Sequence, residues 1–140
     1  MRTTPFVLSL SILCASPAFG QGLEPGEWEF NAVTRSPLLP SAQTMVFKRC
    51  VTQEDAQSPE RWMARQSEKS DCKLTPGERT DDSMRWQMSC PKTNTRGTGI
   101  ARLTGPGTVE SEMQTTSEFQ GRRIEMNTRA TGRRVGPCKS

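Results

Sequence analysis

Apolar and polar side chains alternate with a period of two along much of this chain. In the clearest run, Ser83–Cys90, the side chains of Met84, Trp86 and Met88 alternate with polar ones. Successive residues of a β-strand point to opposite faces, so this run predicts a strand with one apolar and one solvated face. The same pattern predicts strands at residues 27–32, 44–51, 98–104, 108–119 and 124–130.

Turn residues divide the last three predicted strands and indicate a meander. Gly105-Pro106-Gly107 follows the strand at 98–104, and Gln120-Gly121 separates the next two. The residues between Pro37 and Pro40 predict a loop between the first two strands. The predicted fold is therefore mainly β, a curled or barrel-like antiparallel sheet.

One short helical excursion interrupts the alternation. Ser58 precedes Pro59, a residue that is common at the first helical position, which predicts a helix from Pro59 to about Gln66. Trp62 is its predicted main apolar anchor. A second turn is predicted at Thr52, whose hydroxyl can cap a backbone amide three residues on.

The first twenty residues have the order of a secretory signal. Arg2 precedes an apolar run over residues 6–15, and Ala18 and Gly20 supply the small residues of a cleavage site. The run is shorter than the ~20 residues of a membrane span, so we predict no transmembrane segment. Cleavage after Gly20 makes residues 1–20 the signal peptide and residues 21–140 a single domain in the periplasm. Cys14 follows Leu13 rather than a small residue, so we expect removal with the signal rather than lipid attachment.

Composition narrows the classes of function further. The formal net charge of the full chain is +4, and acids and bases are interspersed except at Arg122-Arg123 and Arg133-Arg134. A protein that binds nucleic acid interleaves such cations with exposed aromatic side chains, whereas Phe119 is the one aromatic residue near these pairs. We therefore expect no nucleic-acid partner.

Loss of Cys14 leaves four cysteines, which permit three disulfide pairings. A polar connection at residues 76–82 predicts a hairpin that brings Cys72 close to Cys90, and Cys50 would then pair with Cys138. Pairing of Cys50 with Cys72 remains the alternative. A zinc site is disfavoured, because the chain has no histidine and no C-x-x-C spacing.

Several short motifs spread along the chain carry a family resemblance. They are Leu23-Glu24-Pro25-Gly26-Glu27-Trp28-Glu29, Arg49-Cys50-Val51-Thr52-Gln53-Glu54-Asp55, Asp71-Cys72, Trp86-Gln87-Met88-Ser89-Cys90 and Thr131-Gly132-Arg133-Arg134-Val135-Gly136-Pro137-Cys138. In this combination the chain resembles domain-of-unknown-function family 3617. The resemblance implies a small exported protein of a Gram-negative bacterium, and it transfers no catalytic or binding residue.

Residue chemistry gives little support to an enzyme. Hydrolytic systems built on histidine are excluded because the chain has none. Glu110 and Glu112 share one strand face, which we interpret as a solvated face rather than a catalytic pair. Met84 and Met88 are soft ligands suited to Cu(I), although they are more readily explained as apolar core around Trp86. We therefore predict no catalytic activity, cofactor or metal.

Two hypotheses for a non-catalytic function follow. In the first, the sheet binds a small apolar or amphipathic molecule, or an envelope partner, and Trp28, Phe30, Met84, Trp86 and Met88 form the lining or the core. In the second, the protein is an interaction module without a ligand pocket, which uses a sheet edge or the Trp62 helix. A cavity lined by Trp28, Phe30, Trp86 and Met88 favours the first, and a filled core with an exposed apolar patch favours the second.

Overall fold

A computed structural model describes residues 23–139, and the predicted signal peptide and its cleavage site lie outside them. The described chain is mainly β, as predicted. Its strands are β1 (Gly26–Arg35), β2 (Gln43–Val51), β3 (Lys73–Arg79), β4 (Ser83–Cys90), β5 (Thr95–Gly105), β6 (Thr108–Phe119) and β7 (Arg122–Gly136). Two short helices, α1 (Gln53–Gln57) and α2 (Pro59–Glu68), connect β2 to β3, and a 3₁₀ turn at Pro91–Thr93 follows β4.

The seven strands form one antiparallel sheet in the order β2-β1-β7-β6-β5-β4-β3. The predicted meander is confirmed and extends over β3 to β7, because consecutive strands are neighbours throughout this part. The first hairpin, β1–β2, joins the meander through β7. β2 and β3 lie at opposite ends of the order, so within residues 23–139 the sheet is open and uncurled, not curled or barrel-like as predicted.

Helix α2 packs against β3 at one end of the sheet. The backbone N–H of Leu74 in β3 donates to Ser67 Oγ of α2 at 2.8 Å. Arg79 at the other end of β3 donates to Glu60 of the helix at 3.2 Å. A strand edge that is covered in this way has few groups free for further pairing.

The strand register separates an apolar face from a polar face. Residues that lie directly opposite one another in an antiparallel pair point to the same side. We call the side that carries Trp28 the inner face and the opposite side the outer face. The inner face includes Trp28, Phe30, Ala32, Met45, Phe47, Met84, Trp86, Met88, Ala101, Leu103, Val109, Met113, Ala130 and Gly132.

The hydrophobic core lies at one end of the inner face. Trp28 is fully buried there and packs with Val51, Val109 and Ala56 of α1. Its indole N–H donates to the carbonyl of Glu24 at 2.8 Å, so the one polar atom of the ring is satisfied. The sequence predicts Trp86 as the centre of the core. In the structure Trp86 is only half-buried, and Trp28 takes that position.

The two helices confirm one capping prediction and correct the predicted anchor. Thr52 caps α1 by accepting from the N–H of Asp55, whose carboxylate accepts from the N–H of Thr52 in return. Pro59 begins α2, although the Ser58 side chain makes no capping hydrogen bond. The buried side chain of α2 is Met63 with 2% exposure, whereas Trp62 is 38% exposed. Trp62 as the main anchor is therefore wrong.

The two disulfides have the predicted pairing. Cys50 in β2 is bonded to Cys138, 88 residues later, and Cys72 is bonded to Cys90, 18 residues later. The first joins β2 to the segment that follows β7, and the second joins the start of β3 to the end of β4. No helix among residues 23–139 is long and apolar enough to cross a membrane.

Candidate interaction surface

The five residues predicted to line a site or form the core all lie on the inner face, in two separate groups. Trp28 and Phe30 are on β1, and Met84, Trp86 and Met88 are on β4. Three strands, β7, β6 and β5, lie between these groups. Four strand spacings of ~4.8 Å put the groups about 19 Å apart. Trp28, Phe30, Trp86 and Met88 therefore do not share one cavity.

Trp86 covers backbone rather than filling a closed core. A side-chain carbon built on Gly99, its neighbour on β5, would overlap the Trp86 ring. Phe30 covers Gly132 of β7 in the same way, at 2.6 Å from such a carbon. The glycines on the inner face thus allow aromatic rings to lie flat against the sheet.

The methionine spacing does not favour a shared metal ion. Met84 and Met88 point to one face of β4 but are four residues apart, which is about 13 Å along a strand. That distance is too long for both thioethers to bind one Cu(I) ion. Among the described residues there is also no group of three His, Cys, Asp or Glu side chains that could hold a metal.

The carboxylates considered as a catalytic pair lie on the outer face. Glu112 forms an ion pair with Arg129 of β7, with 2.9 Å between Oε1 and Nε, and Glu110 is exposed opposite Arg102. The nearby Glu29 accepts from Arg133 at 2.9 Å. This hydrogen bond and the charge of Arg133, with a smaller contribution from Lys48, lower the pKa of Glu29, against the opposing effect of desolvation. The outer face therefore carries ion pairs that are exposed to water.

Two clefts are also found on the outer face. One, of about 470 Å³, is lined by side chains that include Arg35, Arg123 and Glu125. The other, of about 460 Å³, is lined by side chains that include Glu29 and Arg133. Neither is lined by any of the five predicted residues, so these clefts give no support to an apolar ligand site.

The exposed apolar side chains concentrate on the β1–β2 hairpin. Of the seven large apolar side chains that are exposed within residues 23–139, four belong to this hairpin, namely Leu38 (63%), Leu39 (38%), Met45 (65%) and Val46 (60%). Leu38 and Leu39 lie in the predicted connecting loop, and Met45 and Val46 lie in β2. The exposed apolar side chains are thus concentrated on one hairpin, although Met45 and Val46 lie on opposite faces of it.

β2 also has a free edge. It pairs with β1 on one side, and in the described chain no strand pairs with its other side, which we call the β2 edge. Met45 lies opposite Ala32 on the inner face, whereas Val46 lies opposite Asn31 on the outer face. The strand therefore exposes apolar surface on both faces next to unpaired backbone groups.

The two cations of β2 have partners within the molecule. Lys48 lies opposite Glu29 of β1 and contributes to the lowered pKa of that carboxyl group. The guanidinium of Arg49 lies over the Phe47 ring, 5.2 Å from its centre. Phe47 in turn stacks on Phe30 with ring centres 5.4 Å apart. Because both cations are accompanied within the protein, they do not require an acidic binding partner.

A weak signal for this surface is present in the sequence. Met45, Val46 and Phe47 are three consecutive apolar residues in a predicted strand, so at least one of them must point to the solvated face. The period-two pattern does not reveal which strand is at the edge, and the surface could not be placed from it.

The comparison with protein families gives one match over nearly the whole described chain. The model of a family described as a protein of unknown function (DUF3617) matches residues 23–138. The chain therefore belongs to this family. No curated protein matches the chain.

Proposed function

We propose that the protein is an exported, non-catalytic interaction module that binds a protein partner by strand addition at the β2 edge. One observation carries this proposal. Met45 and Val46 are both exposed, yet they point to opposite faces of the sheet. A molecule on one face would cover only one of them, whereas a strand added in the plane of the sheet flanks both.

Strand addition also fits the backbone of β2. An added strand supplies hydrogen-bond partners for the unpaired N–H and C=O groups, and its alternate side chains provide specificity. Full burial of a Val or Met side chain is favourable by about 1.5–3 kcal/mol, and an added strand would cover part of the exposed surface of Met45 and Val46. Natural proteins usually protect such edges against pairing, and here α2 protects only the edge at β3. The exposed edge is thus the element best suited to a partner.

A photo-crosslinking amino acid tests this surface. It is placed at Val46 and, as the matched control, at Arg85, which is exposed on the outer face of the interior strand β4. After irradiation of cells that export the protein, we expect adducts at position 46 that map by mass spectrometry to an extended segment. Equal adducts at both positions, or none at position 46, would overturn the proposal.

The exported location forms part of the proposal. It is supported by the signal-like first twenty residues and by two disulfides, which persist in oxidising compartments. The intact mass of the secreted protein should correspond to a chain that begins at Gln21 and carries no lipid. A diacylated chain that begins at Cys14 would show that the protein is membrane-anchored.

A small apolar ligand on the inner face remains a second candidate, because Trp86, Met84 and Met88 are only half-buried. Native mass spectrometry of the protein isolated from the periplasm tests it. A bound small molecule should be retained by Arg85→Gln on the outer face and lost by Met88→Gln. A chain that carries no added mass would exclude this candidate.

A further inference from the structure

We infer that the strand bound at the β2 edge is β2 of a second copy of this chain, paired antiparallel about a two-fold axis at Val46. This inference rests on the proposed strand addition and names its partner. The β2 edge is self-complementary in hydrogen-bonding register, charge and side-chain shape.

The backbone limits how β2 can pair with itself. In an antiparallel ladder, two opposite residues both direct their N–H and C=O groups toward each other or both away. Neighbouring residues of one strand differ in this respect. A two-fold axis must therefore pass through a residue and not between two residues. Val46, Phe47 and Lys48 are the central choices within Gln43–Val51, and an axis at Lys48 would bring the two Lys48 ammonium groups together.

Charge favours the antiparallel arrangement about Val46. The only charged residues of β2 are Lys48 and Arg49. Centring on Val46 places Lys48 opposite Thr44 of the second copy and Arg49 opposite its Gln43. A parallel pair would instead bring the like charges of the two copies side by side, which is destabilising. Because Glu29 and Phe47 already accompany these cations, an acidic partner strand is not required.

Side-chain shape selects the same register. With the axis at Val46, Met45 of each copy lies opposite Phe47 of the other on the inner face, and the two Val46 side chains meet on the outer face. Contacts between methionine sulfur and an aromatic ring are favourable. An axis at Phe47 would place Lys48 opposite Val46 and Arg49 opposite Met45, leaving each cation against an apolar side chain.

A pair of cysteine variants tests the register. On the axis, the Cβ atoms of position 46 are about 5 Å apart, close enough for a disulfide with small adjustment. The two copies of position 44 are offset by four residues, or about 13 Å. Val46→Cys should therefore give an oxidised dimer on a non-reducing gel, and Thr44→Cys should not. Equal crosslinking by both variants would overturn the register.

Sedimentation velocity tests the dimer itself. The mature protein should show a concentration-dependent dimer, and Val46→Lys, which brings two ammonium groups together, should weaken the association at least tenfold. Leu38→Lys replaces an equally exposed apolar side chain in the loop and should leave the association unchanged. A monomer at all concentrations would overturn the inference. If photo-crosslinking at position 46 then captured an extended segment of a different protein, the proposed strand addition would still stand.

Discussion

At the scale of single residues, the contact between Trp86 and Gly99 shows how the inner face tolerates large rings. The absence of a side chain on Gly99 leaves room for the indole to lie against β5. Pairing of an aromatic ring with a cross-strand glycine protects the glycine backbone from water. The contact therefore stabilises both strands.

Gly99→Ala should force the Trp86 ring away from the sheet. Overpacking of this kind costs about 1–3 kcal/mol of unfolding free energy, measured by urea denaturation, and tryptophan emission should shift to the red. Gly107→Ala is the control, because a carbon there would lie at an ordinary 3.7 Å from Arg134 Cβ. Equal stability of the two variants would show that the ring does not depend on this glycine.

Glu29 should make the folded protein less stable in acid than at neutral pH. Its pKa is lowered below 4.5 in the folded protein, so the folded state favours the carboxylate. The stabilisation is present above the pKa of the unfolded chain and disappears as the pH falls through the lowered folded value. Glu29→Gln should thus lower the melting temperature at neutral pH and have no effect in strong acid. A difference in melting temperature between the variant and the unchanged protein that is the same at neutral and acid pH would contradict the role of the ion pair with Arg133.

At the scale of elements, the helical connection between β2 and β3 depends on a helix cap. α1 has only five residues, so its reciprocal cap between Thr52 and Asp55 satisfies a large share of its end groups. Asp55 is also buried and forms an ion pair with Arg65 of α2. The cap therefore holds both helices at the core.

Thr52→Ala should lower the unfolding free energy by about 1 kcal/mol, the typical contribution of an N-cap side chain. Ser58→Ala is a matched control at the start of α2, where the side chain makes no capping bond, and it should be nearly neutral. Chemical denaturation of both variants provides the measurement. If Ser58→Ala proved the more costly change, the assignment of the cap to Thr52 would be wrong.

The alternation of side chains predicted six of the seven strands, and its bounds are most accurate for β2, β4 and β6. Ser83–Cys90 and residues 108–119 were predicted with the bounds that the structure has, whereas β5 and β7 extend beyond the predicted residues 98–104 and 124–130. Pro76 and Gly77 indicated a turn, yet they lie within β3, because an edge strand with an irregular register tolerates proline. In α2 the choice between Trp62 and Met63 depends on packing against β3, which periodicity does not encode.

At the scale of the whole molecule, two disulfides restrain a sheet with a small core. In the chain-entropy model the stabilisation grows with the length of the loop that is closed. The bond between Cys50 and Cys138 closes the longer loop, with a separation of 88 against 18 residues.

Replacement of Cys50 and Cys138 by alanine should therefore destabilise the protein by about 4.5 kcal/mol, and replacement of Cys72 and Cys90 by about 3 kcal/mol. Urea denaturation of the two double variants measures both values. The reverse order would mean that the unfolded chain retains structure around the longer loop.

The faces of the sheet could be predicted from the sequence, but the order of its strands could not. The alternation predicts that Trp28 and Trp86 share one face, which is confirmed. It does not encode how many strands separate them. The insertion of β7 next to β1 places them apart, and it leaves β2 as the uncovered edge. Pairing between strands that are far apart in the sequence, such as β1 and β7, cannot be predicted from the local alternation of side chains. For that reason a sheet edge could be predicted as an interaction surface, but β2 could not be identified as the strand that forms it.

The pairing of β1 with β7 has a consequence for the order in which the molecule is built. Glu29 and its partner Arg133 are 104 positions apart, so the first hairpin is synthesised long before the strand against which it rests. The five strands of the meander pair with sequence neighbours and can zip together as they emerge, because local loops close at little entropic cost. The β1–β2 hairpin cannot join the rest of the sheet until β7 has been synthesised. Its apolar residues are thus most vulnerable to aggregation before the last strand is complete, and a chain cut short of β7 would be left in that state.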